Sequence, residues 1–384
     1  MAERLRAAFY RGGTSKAVVF NGADLPRDRA ARDRIFLHVL GSPDPNGRQL
    51  NGMGGGLSSL SKVVIVEPSD RDDADVDYTF VQIAVDEPVA DYGSACGNMS
   101  SCVGPFAVEE GMVQVAADQS EVLVRIFSTN TNGVYHARFP VRDGQPVEQG
   151  TLEIPGVAGT GAKVTIDFLA PGGAGTGKLL PTGNALDTLQ IEGFGALEVS
   201  LIDAANPVVF FRAADLHKTA TERPQDLDGD PDFMALVEEI RVAGAVAMGM
   251  APSRKDVKRS SPKVAMLGAP AEFTALDGSL HKKDSHDINV RLVSMGNFHR
   301  AITLTGAMCT AVAAQIRGSL VQRIAQPEGQ ELRIGNPSGD LPTIADVRPG
   351  PSGPEAISAG TFRTQRRIME GAVLYPSELM EEAH

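Results

Sequence analysis

Glycine and proline punctuate this chain from one end to the other. Its 384 residues include 41 Gly and 24 Pro spread along the length. Residues of that kind close turns and stop helices, so many turns and short strands are expected rather than a helical bundle. Apolar residues make up 42%, enough for a substantial core. The length fits two domains or one large one.

Charge and composition then exclude whole classes. Lys and Arg number 36 against 48 Asp and Glu, a net −12 without a basic run, which argues against a general nucleic-acid binder. No Trp and 5% aromatics disfavour a stacking platform for bases or sugars. Cys96, Cys102 and Cys309 are too few for a disulfide framework. The N-terminus lacks the apolar stretch of a signal peptide, and no later run reaches membrane-spanning length. A cytoplasmic protein with no membrane or nucleic-acid partner is the expectation.

The order of elements contains a duplication. Residues 5–20 read as two strands around the turn Arg11-Gly-Gly-Thr-Ser-Lys16, and a helix follows Asp24-Leu-Pro26 and ends at Gly41. A buried strand at 62–66 and an alternating strand at 77–85 lead to a helix opened by Cys96-Gly-Asn98. Strands recur near 122–127, 134–139, 163–168 and 197–211. Asp230-Pro-Asp232 starts a further helix. Strands at 263–267 and 289–295 then lead to an Ala-rich helix opened by Thr305-Gly-Ala307. Strand, polar loop and helix thus occur in both halves, which implies two similar mixed α/β halves meeting at a cleft. The crossover between them is expected within 186–198.

Several familiar motifs fail on inspection. Gly172 to Lys178 nearly spells a phosphate-binding loop, but Leu179 stands where Ser or Thr is needed and Pro181 would break the following helix. Gly52-Met-Gly54 lacks the last glycine of a dinucleotide fingerprint. Asp226–Asp230 resembles a calcium loop, with Pro231 and Val237 in place of its Gly and Glu. The seven histidines show no helical pairing, so neither a metal nor an organic cofactor is implied.

Two residues carry the chemistry that remains. Cys96, just before a helix and followed by Gly, lies where unpaired N–H groups and the helix dipole favour a thiolate. Read blandly, it is a small residue filling a helix start. Lys62, between a Gly-rich loop and an apolar strand, is either a solvated charge or a desolvated amine base. Arg11, Ser15, Lys16 and Arg48 offer donors for carboxylates, and Gly335–Gly339 is a turn able to nest an anion.

Taken together these segments resemble the 2-methylaconitate cis-trans isomerase (PrpF) family. The matching residues are Arg11-Gly-Gly-Thr-Ser-Lys16, Gly41-Ser-Pro-Asp44, Gly52-Met-Gly-Gly55 with Ser61-Lys62, Cys96-Gly-Asn98, Pro181-Thr-Gly183, Met295-Gly296 with His299, and Asn336-Pro-Ser-Gly339. They run in order over almost the whole chain. The resemblance implies a diaminopimelate-epimerase-like fold: two pseudo-symmetric halves, each a curled mixed sheet or barrel around a central helix, with the active site in the cleft between them. Domains of 1–188 and 189–369 are expected, with the C-terminal strand 370–384 returning to the first.

The resemblance also makes Lys62 and Cys96 the catalytic pair, with Thr305-Gly306 replacing the thiol in the second half. Arg11, Ser15, Lys16, Arg48, Ser61, Gly97, Asn98, His299, Arg300, Thr305, Gly306, Asn336 and Ser338 become the substrate-binding candidates. The implied reaction is cofactor-independent isomerisation of an unsaturated di- or tricarboxylate through a dienolate, with one base removing an allylic proton while fixed donors hold the charge. A small unsaturated polycarboxylate would be the partner, and a homodimer is admissible. Asn336 and Arg300 depart from the histidines of methylaconitate members, so a 4-oxalomesaconate-type tautomerase is the alternative. Readings from other classes are a non-catalytic carboxylate-binding protein and a thiol hydrolase using Cys96.

Overall fold

The structure, a computed structural model, describes residues 2–93, 96–154, 156–258, 261–294, 296–351 and 353–380. Met295, which belongs to one of the sequence motifs, and residues 381–384 of the expected C-terminal strand lie outside them. The chain divides into two units, one running to Asp167 and resuming at Phe362, the other spanning Phe168–Thr361.

In unit 1, β1 (Ala2–Gly12) turns into β2 (Ser15–Asn21), with Gly13 at φ 53° in the turn. Asp28 caps α1 (Arg29–Leu40) by accepting from the Ala31 N–H at 2.7 Å, and Gly41 ends it at φ 76°. This helix starts later than Asp24-Leu-Pro26 suggested, because Gly22–Asp24 form a separate 3₁₀ turn capped by Asn21. β3 (Lys62–Pro68) lies parallel to β2 and antiparallel to β4 (Val76–Ile83). After α2 (Ser100–Glu109), β5 (Glu121–Ser128) runs parallel to β4 and antiparallel to β6 (Gly133–Arg142). The C-terminal strand Gln365–Pro376 pairs with β1 along its whole length.

Alternation sorts the side chains of this sheet. Val18, Phe20, Val63, Ile65, Val81 and Ile83 face α1 and bury Ile35, Phe36 and Leu40. The other face curls around α2, whose residues Ser100 to Val108 are all buried, as suits a helix enclosed on every side. Tyr10 meets Phe106 edge-on there, ring centroids 6.1 Å apart.

Unit 2 repeats the plan. Its strands are β7 (Asp187–Ile191), β8 (Gly195–Ala204), β9 (Asn206–Arg212), β10 (Lys263–Gly268), β11 (Ile288–Ser294), β12 (Glu331–Asn336), β13 (Gly339–Gly350) and β14 (Gly353–Arg363). Helix α3 (Pro231–Ala247) joins β9 to β10, and α4 (Leu304–Gln315) lies between β11 and β12. From the C-terminal strand through β1 to β6, the ladders run antiparallel, antiparallel, parallel, antiparallel, parallel, antiparallel. From β7 to β13 the same succession recurs. The duplication read from the sequence is thus a duplication of topology. Among the described strands those of each unit curl around its central helix without closing into a barrel.

Gly306, Ala307, Ala311, Ala313 and Ala314 keep α4 slender, so the strands close in on all sides. The boundary expected at 188/189 falls instead at Asp167/Phe168, because Leu179, Leu180, Ala185 and Leu186 bury themselves against the α4 core. The return comes at Phe362 rather than 370, since pairing with β1 already begins at Gln365. Among the described residues no helix is long and apolar enough to cross a membrane.

Candidate active site

Lys62 opens β3, a strand whose next four residues are wholly buried, and is itself only 7% exposed. Its Nζ donates to Oε1 of Gln82 at 2.6 Å and lies 4.9 Å from the Phe80 ring centroid. Gln82 is its register partner on β4, and Phe80 sits two residues back on the same face. Gln82 is fixed in turn by its Nε2, which donates to the carbonyls of Ser61 at 2.8 Å and Ser58 at 3.0 Å. Burial pulls the Lys62 pKa below that of an ordinary lysine, and the nearby Cys96 sulfur, when ionised, pulls the other way. Burial is the stronger effect. A larger share of the amine is therefore neutral, and able to accept a proton, than for an exposed lysine.

Cys96 is half-buried in the turn before α2. Its carbonyl accepts from Ser100 N–H at 3.0 Å, Ser100 Oγ at 3.1 Å and the Tyr78 hydroxyl at 3.3 Å. Burial raises the Tyr78 pKa far above its usual value, so that hydroxyl stays a donor. The hairpin turn of β1 and β2 presses on the same segment. A Cβ on Gly12 would stand 2.7 Å from the Asn98 carbonyl oxygen, and one on Gly13 2.3 Å from Asn98 Oδ1. That contact gives the Arg11-Gly-Gly run its reason: only glycine lets the two turns approach so closely. Asn98 also donates to Thr14 Oγ1 at 3.1 Å and accepts from Arg363 Nε at 3.1 Å. Burial lowers the Arg363 pKa, and ionised Cys96 opposes that effect, so guanidinium and sulfur share one neighbourhood.

The other candidates of unit 1 divide. Ser15 is buried at the start of β2, and Gly97 is half-buried beside Cys96. Arg11 spends Nη1 on the carbonyls of Gly13 and Thr364 and on Thr364 Oγ1, each at 3.0 Å, and so braces the hairpin. Lys16, opposite Arg11, lies over the Phe9 ring on the α1 face, whereas Lys62 alternates with Val63 and faces α2. Strand parity therefore separates Lys16 from the pair. Arg48 is exposed, and the neighbouring Gln49 is the buried residue, donating to Ser42 Oγ at 2.8 Å and Ser61 Oγ at 2.7 Å. Ser61 is thus a brace for the start of β3.

In unit 2, α4 begins one residue before Thr305, and Thr303 caps it, accepting from Gly306 N–H at 3.1 Å. Thr305 thus lies inside the first turn of α4, two residues after the capping Thr303. Gly306 packs so tightly that a Cβ would meet Leu292 Cδ1 at 2.5 Å. Lys263, which opens β10, donates from Nζ to Thr303 Oγ1 at 3.1 Å. His299 Nδ1 accepts from Ala301 N–H at 3.3 Å, and partial shielding of the ring, helped by the charges of Lys263 and Arg300, holds its pKa below the usual value.

Three other candidates are occupied elsewhere. Arg300 pairs with Asp228 at 2.9 Å. Asn336 donates to the Gly339 carbonyl at 2.6 Å and accepts from Ser338 N–H at 3.1 Å and Ile302 N–H at 3.4 Å. Ser338 Oγ donates to the Arg300 carbonyl at 2.7 Å. These bonds brace the segment leading into α4.

Sequence reading did not pick out Gln82, Arg363, Thr303 or Lys263. Only for Lys263 was a signal present, since it opens a strand in the second half as Lys62 does in the first. Among the described residues no three His, Cys, Asp or Glu side chains converge as a metal-binding group. The site is instead an amine and a thiol on rigid elements, held by neutral donors and one guanidinium. That set suits proton transfer at carbon beside a developing anion.

Comparison with known proteins points the same way. The chain is 38% identical over 376 residues to a 3-methylitaconate isomerase from Eubacterium barkeri, covering 96% of this chain and 97% of that protein. It is 36% identical over 385 residues to a 2-methyl-aconitate isomerase from Shewanella oneidensis, with 97% of each chain covered. A 4-oxalomesaconate tautomerase from Pseudomonas putida is 38% identical over 374 residues, with 96% of each covered. The crystal structure of a methylitaconate-delta-isomerase superposes with a TM-score of 0.89 at 36% identity, covering 100% of this chain and 98% of that one. A sequence model described as PrpF protein matches residues 2–376, and the chain belongs to the PrpF family.

Proposed function

We propose that this protein is a cofactor-independent isomerase of unsaturated di- or tricarboxylic acids, with Lys62 as base and Cys96 as its proton-exchanging partner. The observation that carries the reading is the buried Lys62 amine. It is held by a neutral amide at 2.6 Å, its pKa is lowered by burial, and the Cys96 sulfur is close enough to affect its charge. A structural lysine would more often reach solvent or a carboxylate. The names of the full-length relatives support the substrate class.

In this reading the neutral amine removes a proton from the carbon allylic to the alkene and carboxylate. The C–H electron pair delocalises into a dienolate, and Lys62 becomes an ammonium. The Cys96 thiol then protonates the far end of the dienolate, which moves the double bond, and the resulting thiolate recovers its proton from Lys62 or water. Return of a proton to the original carbon, after rotation about the former double bond, gives cis-trans isomerisation from the same intermediate. A second reading, tautomerisation of an oxalomesaconate-like acid, draws on the 38% identity to the Pseudomonas putida relative. It uses the same two residues. The three free thiols suit a reducing compartment such as the cytoplasm.

The test is proton NMR of the purified protein in deuterated water with a panel of unsaturated di- and tricarboxylates. Deuterium should enter the allylic position of at least one acid, and Lys62→Met and Cys96→Ala, still folded by circular dichroism, should abolish it. Exchange at the wild-type rate in both variants refutes the assignment.

A further inference from the structure

Arg363 is the last residue of β14, where the chain has re-entered unit 1. Its neighbour Thr364 is clamped to the hairpin tip: the Thr364 carbonyl accepts from Gly13 N–H at 2.9 Å and from Arg11 Nη1 at 3.0 Å. Arg363 itself donates from Nη1 to the Phe362 carbonyl at 2.9 Å and from Nε to Asn98 Oδ1 at 3.1 Å. A Cβ on Gly13 would stand 3.2 Å from Arg363 Cδ as well as 2.3 Å from Asn98 Oδ1. Guanidinium, hairpin tip and the Cys96–Asn98 turn therefore meet at one packed point, and all three belong to unit 1.

The reaction read from Lys62 and Cys96 makes a demand at that point. When the Cys96 thiol gives its proton to carbon, a thiolate is left on a half-buried residue. The described titratable groups that interact with its charge lie on several elements: Lys62 on β3, Tyr78 on β4, Tyr135 on β6, Cys102 on α2, and Arg363. Burial keeps both tyrosines and Cys102 neutral. Lys62, its pKa lowered by burial, alternates between amine and ammonium as it takes and returns a proton. A guanidinium stays charged throughout. Among those described groups Arg363 is the permanent cation, and its bond to Asn98 ties it to the turn that carries the sulfur.

We infer that Arg363 is a positioning residue for Cys96: held against Asn98, it fixes the thiol's turn and places a lasting positive charge where the thiolate forms. It carries no proton and touches no reacting carbon. Its part in turnover rests on the isomerase reading, whereas its hold on the thiol does not.

Iodoacetamide labelling of the folded protein, followed at Cys96 by peptide mass spectrometry across a pH series, tests that hold without any substrate. In Arg363→Gln, which keeps an amide donor near Asn98 but removes the charge, the rate at neutral pH should fall about 3- to 10-fold. The loss should close in strong alkali, where the thiol ionises unaided. A turn that was merely loosened would change the rate by the same factor at every pH. Arg363→Lys should recover part of the loss, because the charge returns. If Arg363→Gln does not fold, Asn98→Ala, which leaves the arginine but cuts its bond to the turn, should show the same pH-dependent loss.

With a reactive acid, Arg363→Gln should lower kcat about 3- to 10-fold and leave KM within about 2-fold. Binding of tricarballylate, a saturated tricarboxylate that cannot isomerise, should likewise change by less than about 2-fold. An unchanged labelling rate at neutral pH in the folded variant overturns the inference, as does an equal loss at every pH. A loss of tricarballylate binding of about 10-fold or more would make Arg363 a substrate ligand and overturn it too. A wild type whose labelling depends on Arg363 yet exchanges deuterium into no acid overturns the isomerase reading and leaves the hold on Cys96 standing.

Discussion

Replacing Gln82 by glutamate puts the direction of proton transfer to a quantitative test. The substitution is nearly isosteric and sets a carboxylate where an amide oxygen now accepts from Lys62 at 2.6 Å. Two opposite charges about 3 Å apart attract by about 5 kcal/mol at an effective dielectric of about 20. Neighbours of this kind usually raise a lysine pKa by about one to three units after desolvation is counted, or about 1.4–4 kcal/mol.

The sign follows directly. Wild-type Lys62 is pulled down by burial, which frees the amine as a base. Gln82→Glu pushes it back up and holds the ammonium. The acidic limb of kcat/KM for allylic deuterium exchange should therefore move up by about one to three pH units, with a loss of about 10- to 1000-fold below it and recovery above. Losing the Nε2 bonds to Ser58 and Ser61 should cost about 1–3 kcal/mol, so the melting temperature is followed in parallel. If Lys62 acted as the acid and Cys96 as the base, fixing the ammonium would leave neutral-pH activity unchanged or raise it. Either result refutes the reasoning.

Three other perturbations have clear outcomes. Iodoacetamide should label the folded protein once, at half-buried Cys96, because Cys102 and Cys309 are fully buried and burial lifts both thiols far above the usual range; peptide mass spectrometry reads the result, and early labelling of Cys102 contradicts it. Gly12→Ala drives a Cβ to 2.7 Å from the Asn98 carbonyl oxygen and should cost about 1–3 kcal/mol and about 100-fold in exchange rate by displacing the Cys96 turn. Gly329→Ala, with nothing within 4 Å of its Cβ, should change neither. Because the folded pKa of Lys62 is lowered, the unfolded chain binds that proton more tightly, and stability rises with pH from the lowered value up to about 10.5. Thermal melts of Lys62→Met against pH should lose that part of the slope, and an unchanged slope argues against the buried amine.

What could be read from the chain alone depended on whether a signal was local. Turn residues and apolar runs exposed the repeated strand–loop–helix order, and glycine beside Cys96 pointed to a helix start. Gln82 and Arg363 were invisible for the opposite reason: a cross-strand register and a strand from the far end of the chain bring them to Lys62 and Asn98. Polar residues in a promising loop were overvalued. Arg11 and Lys16 look like free donors in sequence, but alternation and the Thr364 contacts turn Arg11 into a brace and Lys16 toward Phe9. Gly306 looks in sequence like the start of a helix, whereas α4 begins earlier and its cap is the Thr303 hydroxyl that accepts from Gly306. The domain boundary moved because Leu179, Leu180, Ala185 and Leu186, which precede the expected crossover, pack against the α4 core.

The central claim is that one acid lies within reach of both the amine and the thiol. A crystal structure of the protein with tricarballylate bound tests it most directly. The account predicts Lys62 Nζ and Cys96 Sγ both within about 3.5 Å of the ligand's carbon chain, near-attack distance for proton transfer. A ligand that touches only one of the two, or neither, would contradict it.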